Sequence, residues 1–382
     1  MNEKCIKNFM KLINTNTYKG KNPFFNTTNF TFFNGVGFSK SWDINFPTGN
    51  EIFTFKKEEI ENSLLEEYIR GEYGDVPDVI DYKMIREINY RIYIEEKYPE
   101  IRSRYTDKER TAIIRKELKR FVISKFKRVM YYCEDSNIDN GNITHGELTE
   151  NKKEMISFFS QLMNQITGEN GIPEGIRTNF ITTNYDYVVE AIYGYLLHGD
   201  DFRGYFYRGY TPQYDRREDV TIFDDWLLSN LFKINGGFEI FVDNYSNKYV
   251  QSYCGNHLDN YFNHEPKIII PSLEQNYEEE YFKDVFSKSV KLLQNTQVLL
   301  IVGYSFPEED NIIRFLLRQF AEYPSDFVRK HIFYIDLEPN IEKIKEVFPY
   351  LNSYSQLMEQ VHIYKGSFSK FCEELNKKQW VS

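Results

Sequence analysis

Four short segments of this 382-residue chain combine residue types that could do chemistry together. The first, Asn34-Gly-Val-Gly-Phe-Ser39, sets Gly35 and Gly37 around Val36 and follows them with Phe38 and Ser39. Glycine lets a backbone come close to a phosphate, and N–H groups at a helix start offer a place for its charge. Alone, the doublet could equally be a tight turn, because Lys40 stands where a dinucleotide fingerprint has its third glycine. The second segment, Thr182-Thr-Asn-Tyr-Asp186, follows Thr183 with an amide and a carboxylate two residues apart. Both are polar groups placed where an apolar strand ends. Helix capping is the plainer role for the same pair. The third, Gly303-Tyr-Ser-Phe-Pro-Glu-Glu-Asp310, offers the Tyr304 and Ser305 hydroxyls and a run of acids, and the fourth is Tyr334-Ile-Asp336.

Each segment follows an apolar run, so the elements that carry them can be placed. Asn29–Phe33, Phe180–Thr183, Lys267–Ile270, Val298–Val302 and His331–Asp336 read as strands. The continuous apolar runs at 267–270 and 298–302 suit strands covered on both faces of a parallel sheet. Asp186–Ile192 and Asn311–Leu317 read as helices, the latter with Glu308, Glu309 and Asp310 complementing its dipole. Strands alternating with helices mean a doubly wound, Rossmann-like α/β sheet, whose ligands bind at the carboxyl ends of the strands. Between these parts the pattern turns helical. Met84, Ile85, Ile88 and Ile92 share one face, as do Leu118, Phe121, Val122 and Val129, and Thr106-Asp-Lys-Glu109 has the form of a capping box. The expected division is therefore a first part of the α/β domain at 1–55, a helical insertion at 56–170 and the remainder of the α/β domain at 171–382, with 135–142 an exposed loop.

Lys and Arg number 47 and Asp and Glu 57, a formal charge of −10 that disfavours direct nucleic-acid binding. The basic run Arg115–Arg128 interleaves charge with an apolar face and reads as a solvated helix. Cys5, Cys133, Cys254 and Cys372 form no C-x-x-C pair, and His145, His257, His264, His331 and His362 are scattered, so no metal site is expected. No run approaches the length of a membrane span and the N-terminus has no secretion signal, so a cytoplasmic protein is expected.

Taken together, the four segments resemble the sirtuin (silent information regulator) family, specifically its bacterial antiphage-defence branch, over residues of about 29–55 and 175–375. In that family a G-[AV]-G-x-S loop cradles the pyrophosphate of NAD, which implies cofactor-binding roles for Gly35, Val36, Gly37, Phe38 and Ser39. The resemblance places Asn184 and Asp186, with Thr183 in the same loop, against the nicotinamide and its ribose. It places Gly303, Tyr304, Ser305 and Asp310 near the adenosine ribose, and Asp336 on the adenine side. Deacetylating members hold zinc with two C-x-x-C pairs, which this chain lacks. The implied activity is therefore that of a zinc-free NAD glycohydrolase releasing nicotinamide and ADP-ribose. The family's histidine base falls at Asn235, followed by Gly236, and an amide cannot take and hold a proton. Three readings stay open: catalysis by Asn184, Asp186 and a positioned water; His198 reaching the pocket from the next helix; or a silent subunit that binds NAD or ADP-ribose. The resemblance further implies NAD depletion in infected cells, a HerA-type hexameric ATPase partner and a homo-oligomer. Little length follows Phe371, so no appended ligand-sensing domain is expected.

Overall fold

The computed structural model describes residues 1–14, 26–98, 108–126, 129, 148–169, 172–197, 205–209, 213–214, 229–242, 249–251, 265–308 and 310–380. His198, Glu309, the Thr106 of the expected capping box and the expected loop at 135–142 lie outside these residues.

Asn26–Asn34 forms β1, and it is the middle strand of the main sheet. The others are β2 (Ile166–Glu169), β3 (Ile172–Thr182), β4 (Phe206–Tyr207), β5 (Ser229–Lys233), β6 (Val298–Val302), β7 (His331–Asp336) and β8 (Val361–Lys365). Seven run parallel in the order β8-β7-β6-β1-β3-β5-β4, and β2 pairs antiparallel with β3. The chain leaves β1 on one side and returns to it on the other. The loop after β1 therefore sits at the switch point, where doubly wound sheets bind ligands. Register brings Asn34 level with Thr182 and Val302, and Thr182 level with Lys233, so the segments singled out by their chemistry end at one edge.

Side chains alternate between two apolar layers, as strand geometry requires. Phe30 and Phe32 of β1 face a layer with α1 (Asn2–Asn14), α6 (Glu150–Met163) and α11 (Phe368–Asn376). Phe33 faces the other, with α8 (Glu280–Gln294), α9 (Asn311–Arg318) and α10 (Ile341–Val347). All five residues of β6 are buried, as its unbroken apolar run predicts. Between β1 and α6 lie α2 (Val36–Trp42), a short turn of helix at Gly49–Ile52, α3 (Leu64–Tyr73), α4 (Tyr82–Lys97) and α5 (Lys108–Ser124). Ile85, Ile88 and Ile92 of α4 and Leu118, Phe121 and Val122 of α5 are buried, matching the helical spacing. Helix α6 lies inside the range 56–170, yet its Phe158 and Phe159 pack edge-on or tilted against Phe32 of β1 and Phe368 of α11. It belongs physically to the sheet's covering layer.

The sequence expectation of a sheet strand at Lys267–Ile270 does not hold. This segment makes only an isolated antiparallel bridge, Gly236 to Ile268. Its polar backbone is used otherwise. Asn89 of α4 donates to the carbonyls of Ile270 (3.0 Å) and Pro271 (3.2 Å), and the Ile269 N–H donates to the Asn235 carbonyl at 2.9 Å. An apolar run of this length cannot by itself distinguish a strand from a buried brace. Here it braces the helical module against the Asn235 turn.

Candidate functional site

At the carboxyl ends of β1, β3, β5 and β6 lies a cavity of about 400 Å³. Its polar side is made by Ser39, Thr183, Asn184, Asp186, Asn235 and Asp310. Phe46, Ile52, Phe53, Tyr82 and Phe126, from the α2–α5 region, make an apolar side. Most of the residues singled out from sequence therefore surround one space: Val36, Gly303, Tyr304 and Ser305 line it too. Gly35, Gly37, Phe38 and Asp336 are not among the lining residues. The Asp336 carboxylate accepts the Glu338 N–H at 2.9 Å, and burial raises its pKa. His198 lies outside the described residues.

The glycine loop owes its composition to packing. The Gly35 N–H donates to the Val302 carbonyl (2.9 Å) and the Gly37 N–H to the Gly303 carbonyl (3.0 Å), so two N–H groups expected to face a phosphate are bonded to β6 and its turn. A Cβ on Gly37 would lie 2.5 Å from the Gly303 Cα, and one on Gly35 would lie 2.5 Å from the Gly303 carbonyl oxygen. Gly303 has φ +57°, a conformation that favours glycine, and a Cβ there would meet the Gly37 Cα at 2.3 Å. The glycines interlock two loops whose backbones touch. Three residues on, Phe306 holds φ +55° while buried, and Arg314 secures it by donating to its carbonyl at 2.8 Å. Such a conformation for a bulky residue is strained and persists only where the surroundings enforce it.

Asn184 is held rather than loose. Its Nδ2 donates to the Gly35 carbonyl and to Ser39 Oγ, both at 2.9 Å. These bonds fix the amide's direction and leave Oδ1 buried with no hydrogen-bond partner among the described residues. The Ser39 hydroxyl in turn donates a hydrogen bond to Asp186 Oδ2 at 2.6 Å, and Asp186 Oδ1 accepts the Val188 N–H at 3.1 Å at the start of α7 (Val188–Leu196). Asp186 thus holds the first turn of α7 while also lining the cavity. Burial lifts the Asp186 carboxyl above its ordinary range, against the pull of the Ser39 and Val188 hydrogen bonds and of the Lys233 charge.

Asn235 is fixed as well, by partners that sequence reasoning did not find. The Tyr277 phenol donates to Asn235 Oδ1 at 2.8 Å, and Asn235 Nδ2 points at the Thr183 carbonyl at 3.4 Å. Tyr277 also lies 3.2 Å from Gln275 Oε1, but a phenol has one proton and the shorter contact takes it. Gln275 Nε2 reaches Asp310 Oδ1 at 3.4 Å, and the Tyr304 phenol donates to Asp310 Oδ2 at 2.8 Å. The Tyr277 and Thr183 contacts fix which way the Asn235 amide faces. Burial drives the phenols of both Tyr277 and Tyr304 far from ionisation. Neither Tyr277 nor Gln275 sits in a recognisable motif. The only signal for Tyr277 was an aromatic residue in a polar stretch, which is common.

Among the described residues, no group of His, Cys, Asp and Glu is placed to hold a metal ion, and no helix is long and apolar enough to cross a membrane. No family model and no curated protein matches the chain. Its solved structural neighbours are Sir2 proteins. A Sir2–p53 peptide–NAD+ complex is 10% identical with a TM-score of 0.40, covering 91% of each chain. A Sir2 homologue complexed with ADP-ribose is 11% identical with a TM-score of 0.41, covering 99% of this chain and 96% of its own. A Sir2 with deacetylated p53 peptide and 3'-O-acetyl ADP-ribose is 11% identical with a TM-score of 0.42, covering 100% of both. Likeness of this order leaves the roles of the residues to be argued from geometry.

Proposed function

We propose that the cavity binds NAD and hydrolyses its nicotinamide–ribose bond, giving nicotinamide and ADP-ribose. The observation that carries this reading is Asn184: two hydrogen bonds lock its amide, and its buried Oδ1 lacks a donor among the described residues, next to the Asp186 carboxylate. An acceptor held in this way suits a ribose hydroxyl or an attacking water. Cleavage of the glycosidic bond builds positive charge on the ribose, and a nearby carboxylate stabilises an oxocarbenium-like state without taking a proton. Ser39 holds Asp186 in place by donating to it. The Asn235 side chain, oriented by Tyr277, holds the floor of the site. Water supplies the hydroxyl that ends on the ribose carbon, the nicotinamide leaves with the bonding pair, and the water's proton passes to solvent. The apolar side suits a flat ring. Because the Gly35 and Gly37 N–H groups already bond backbone carbonyls, the diphosphate in this reading relies on Ser305 and the remaining loop atoms.

The same reading makes the protein the NAD-depleting effector of a bacterial antiphage system, assembled as a homo-oligomer with a HerA-type hexameric ATPase; the support is the resemblance of the four segments. A pulldown from the native host that recovers no ATPase would overturn the partnership. A second reading, favoured by the missing histidine base, is a subunit that binds NAD or ADP-ribose without cleaving it. Turnover by the native protein, compared with Asn235→His, separates the two. Release of nicotinamide by the native protein supports hydrolysis. An inert native protein that gains turnover on Asn235→His makes the binding role the correct one.

A further inference from the structure

Four charged side chains are shut away from solvent at the back of the Asp186 loop. They are Glu190 on α7, Arg208 just after β4, Lys233 at the end of β5, and Glu239. Lys233 Nζ lies 2.8 Å from Glu190 Oε1 and 2.9 Å from Glu239 Oε1, and Arg208 Nη1 meets the same oxygens at 3.3 and 3.2 Å. Two cations against two carboxylates make the set neutral, which burial demands. Burial raises the Glu239 carboxyl; at Glu190 burial is outweighed by Lys233 and Arg208, which hold its carboxyl below the ordinary value.

Charge balance alone would ask nothing of Asp186. Lys233 nevertheless spends a third hydrogen bond there, donating to the Asp186 backbone carbonyl at 2.6 Å. Its own carbonyl accepts the Tyr281 phenol at 3.2 Å and the Gly236 N–H at 3.0 Å. One side chain thus joins the loop that carries Asn184 and Asp186 to the turn that carries Asn235. We propose that Lys233 is a positioning residue, which sets the height of the Asp186 loop against the Asn235 turn. Glu190, Glu239 and Arg208 balance the buried charge, and the Lys233 bond to the Asp186 carbonyl sets the loop. The effect on turnover rests on the NAD-cleaving reading above; the effect on the loop does not.

Two charge-balanced pairs test the idea. Lys233→Met with Glu190→Gln removes one cation and one carboxylate together with the bond to Asp186. Arg208→Met with Glu190→Gln removes the same charges and keeps that bond. Backbone hydrogen exchange across residues 182–190 is read first, since it needs no ligand. The Lys233 pair is expected to exchange about tenfold faster there, with the Arg208 pair close to native. For NAD turnover, kcat is expected to fall about 10- to 100-fold in the Lys233 pair with KM within about threefold, and to stay within about threefold of native in the Arg208 pair. Equal exchange and equal turnover in the two pairs would overturn the proposal. An inert native protein would sink the NAD-cleaving reading while the exchange comparison still decides the role of Lys233. If the Lys233 pair does not fold, Lys233→Arg decides. It keeps the charge but not the compact head, so a loosened 182–190 segment at an unchanged melting temperature supports positioning, and native exchange overturns it.

Discussion

Asp186 is buried beside the cavity, and burial raises its carboxyl above the ordinary value while Ser39, Val188 and Lys233 pull the other way. The sign for stability follows. Between the ordinary and the raised value the folded state holds a proton that the unfolded chain has released, so stability falls as pH rises through that window and the loss persists at neutral pH. Asp186→Asn is therefore expected to melt at an equal or higher temperature than native at pH 7, while losing about 100-fold or more in turnover. A thermal melt and an assay on one preparation check both, and a strongly destabilised variant would show that the carboxylate is mainly structural. Turnover itself should fall with acid at a pH above the usual carboxylate range, as Asp186 takes its proton. Asn184 and Asp186 were legible because an amide and a carboxylate two residues apart after an apolar strand form a local pattern. Tyr277, Gln275 and Lys233 were not. They reach the site from β5 and from the chain beyond 265, and nothing adjacent to them in sequence marks a contact made across the fold.

The alternation of strands and helices survives in the structure, with β7 falling on the expected His331–Asp336 and α9 extending the expected helix by one residue. The run at 267–270 shows the limit of the method. Three isoleucines after Lys267, between Pro266 and Pro271, satisfy the pattern of a buried strand, yet the Asn89 amide and the Asn235 turn claim its backbone. The glycine loop shows the same limit differently: its spacing suggested a phosphate, while the tightest constraint on it is a neighbouring backbone. Gly37→Ala is accordingly expected to destabilise the fold by about 1–3 kcal/mol through overpacking against Gly303. Denaturant unfolding measures this without ligand. Native stability with lost NAD binding would instead make ligand approach the reason for the glycine.

At the scale of the whole molecule, the sheet's far edge holds a pair of histidines that the sequence reading set aside as scattered. His331 Nδ1 lies 3.1 Å from His362 Nε2, the rings stack 5.4 Å apart, and Asn8 of α1 caps the pair at 3.1 Å. Burial lowers His331 to about 4, with the Lys11 charge adding to it. Burial likewise lowers His362 to about 3, with the charges of His331 and Lys4 adding. Depressed histidines bind fewer protons folded than unfolded, so the stability present above the ordinary value of 6.5 is lost as pH falls toward 4. The native protein is expected to lose on the order of 1 kcal/mol per pH unit per histidine between about pH 6 and 4. Urea melts at several pH values should show a shallower slope for His362→Gln. An unchanged slope would assign acid lability elsewhere. The central claim concerns the other end of the sheet. Its most direct test is the conversion of NAD by purified native protein and by Asn184→Ala, with nicotinamide and ADP-ribose separated and quantified. Equal amounts of the two products from the native protein, falling about 100-fold or more in Asn184→Ala, are the predicted result. Turnover by Asn184→Ala at the native rate, or none by the native protein with or without an added HerA-type ATPase, would contradict it.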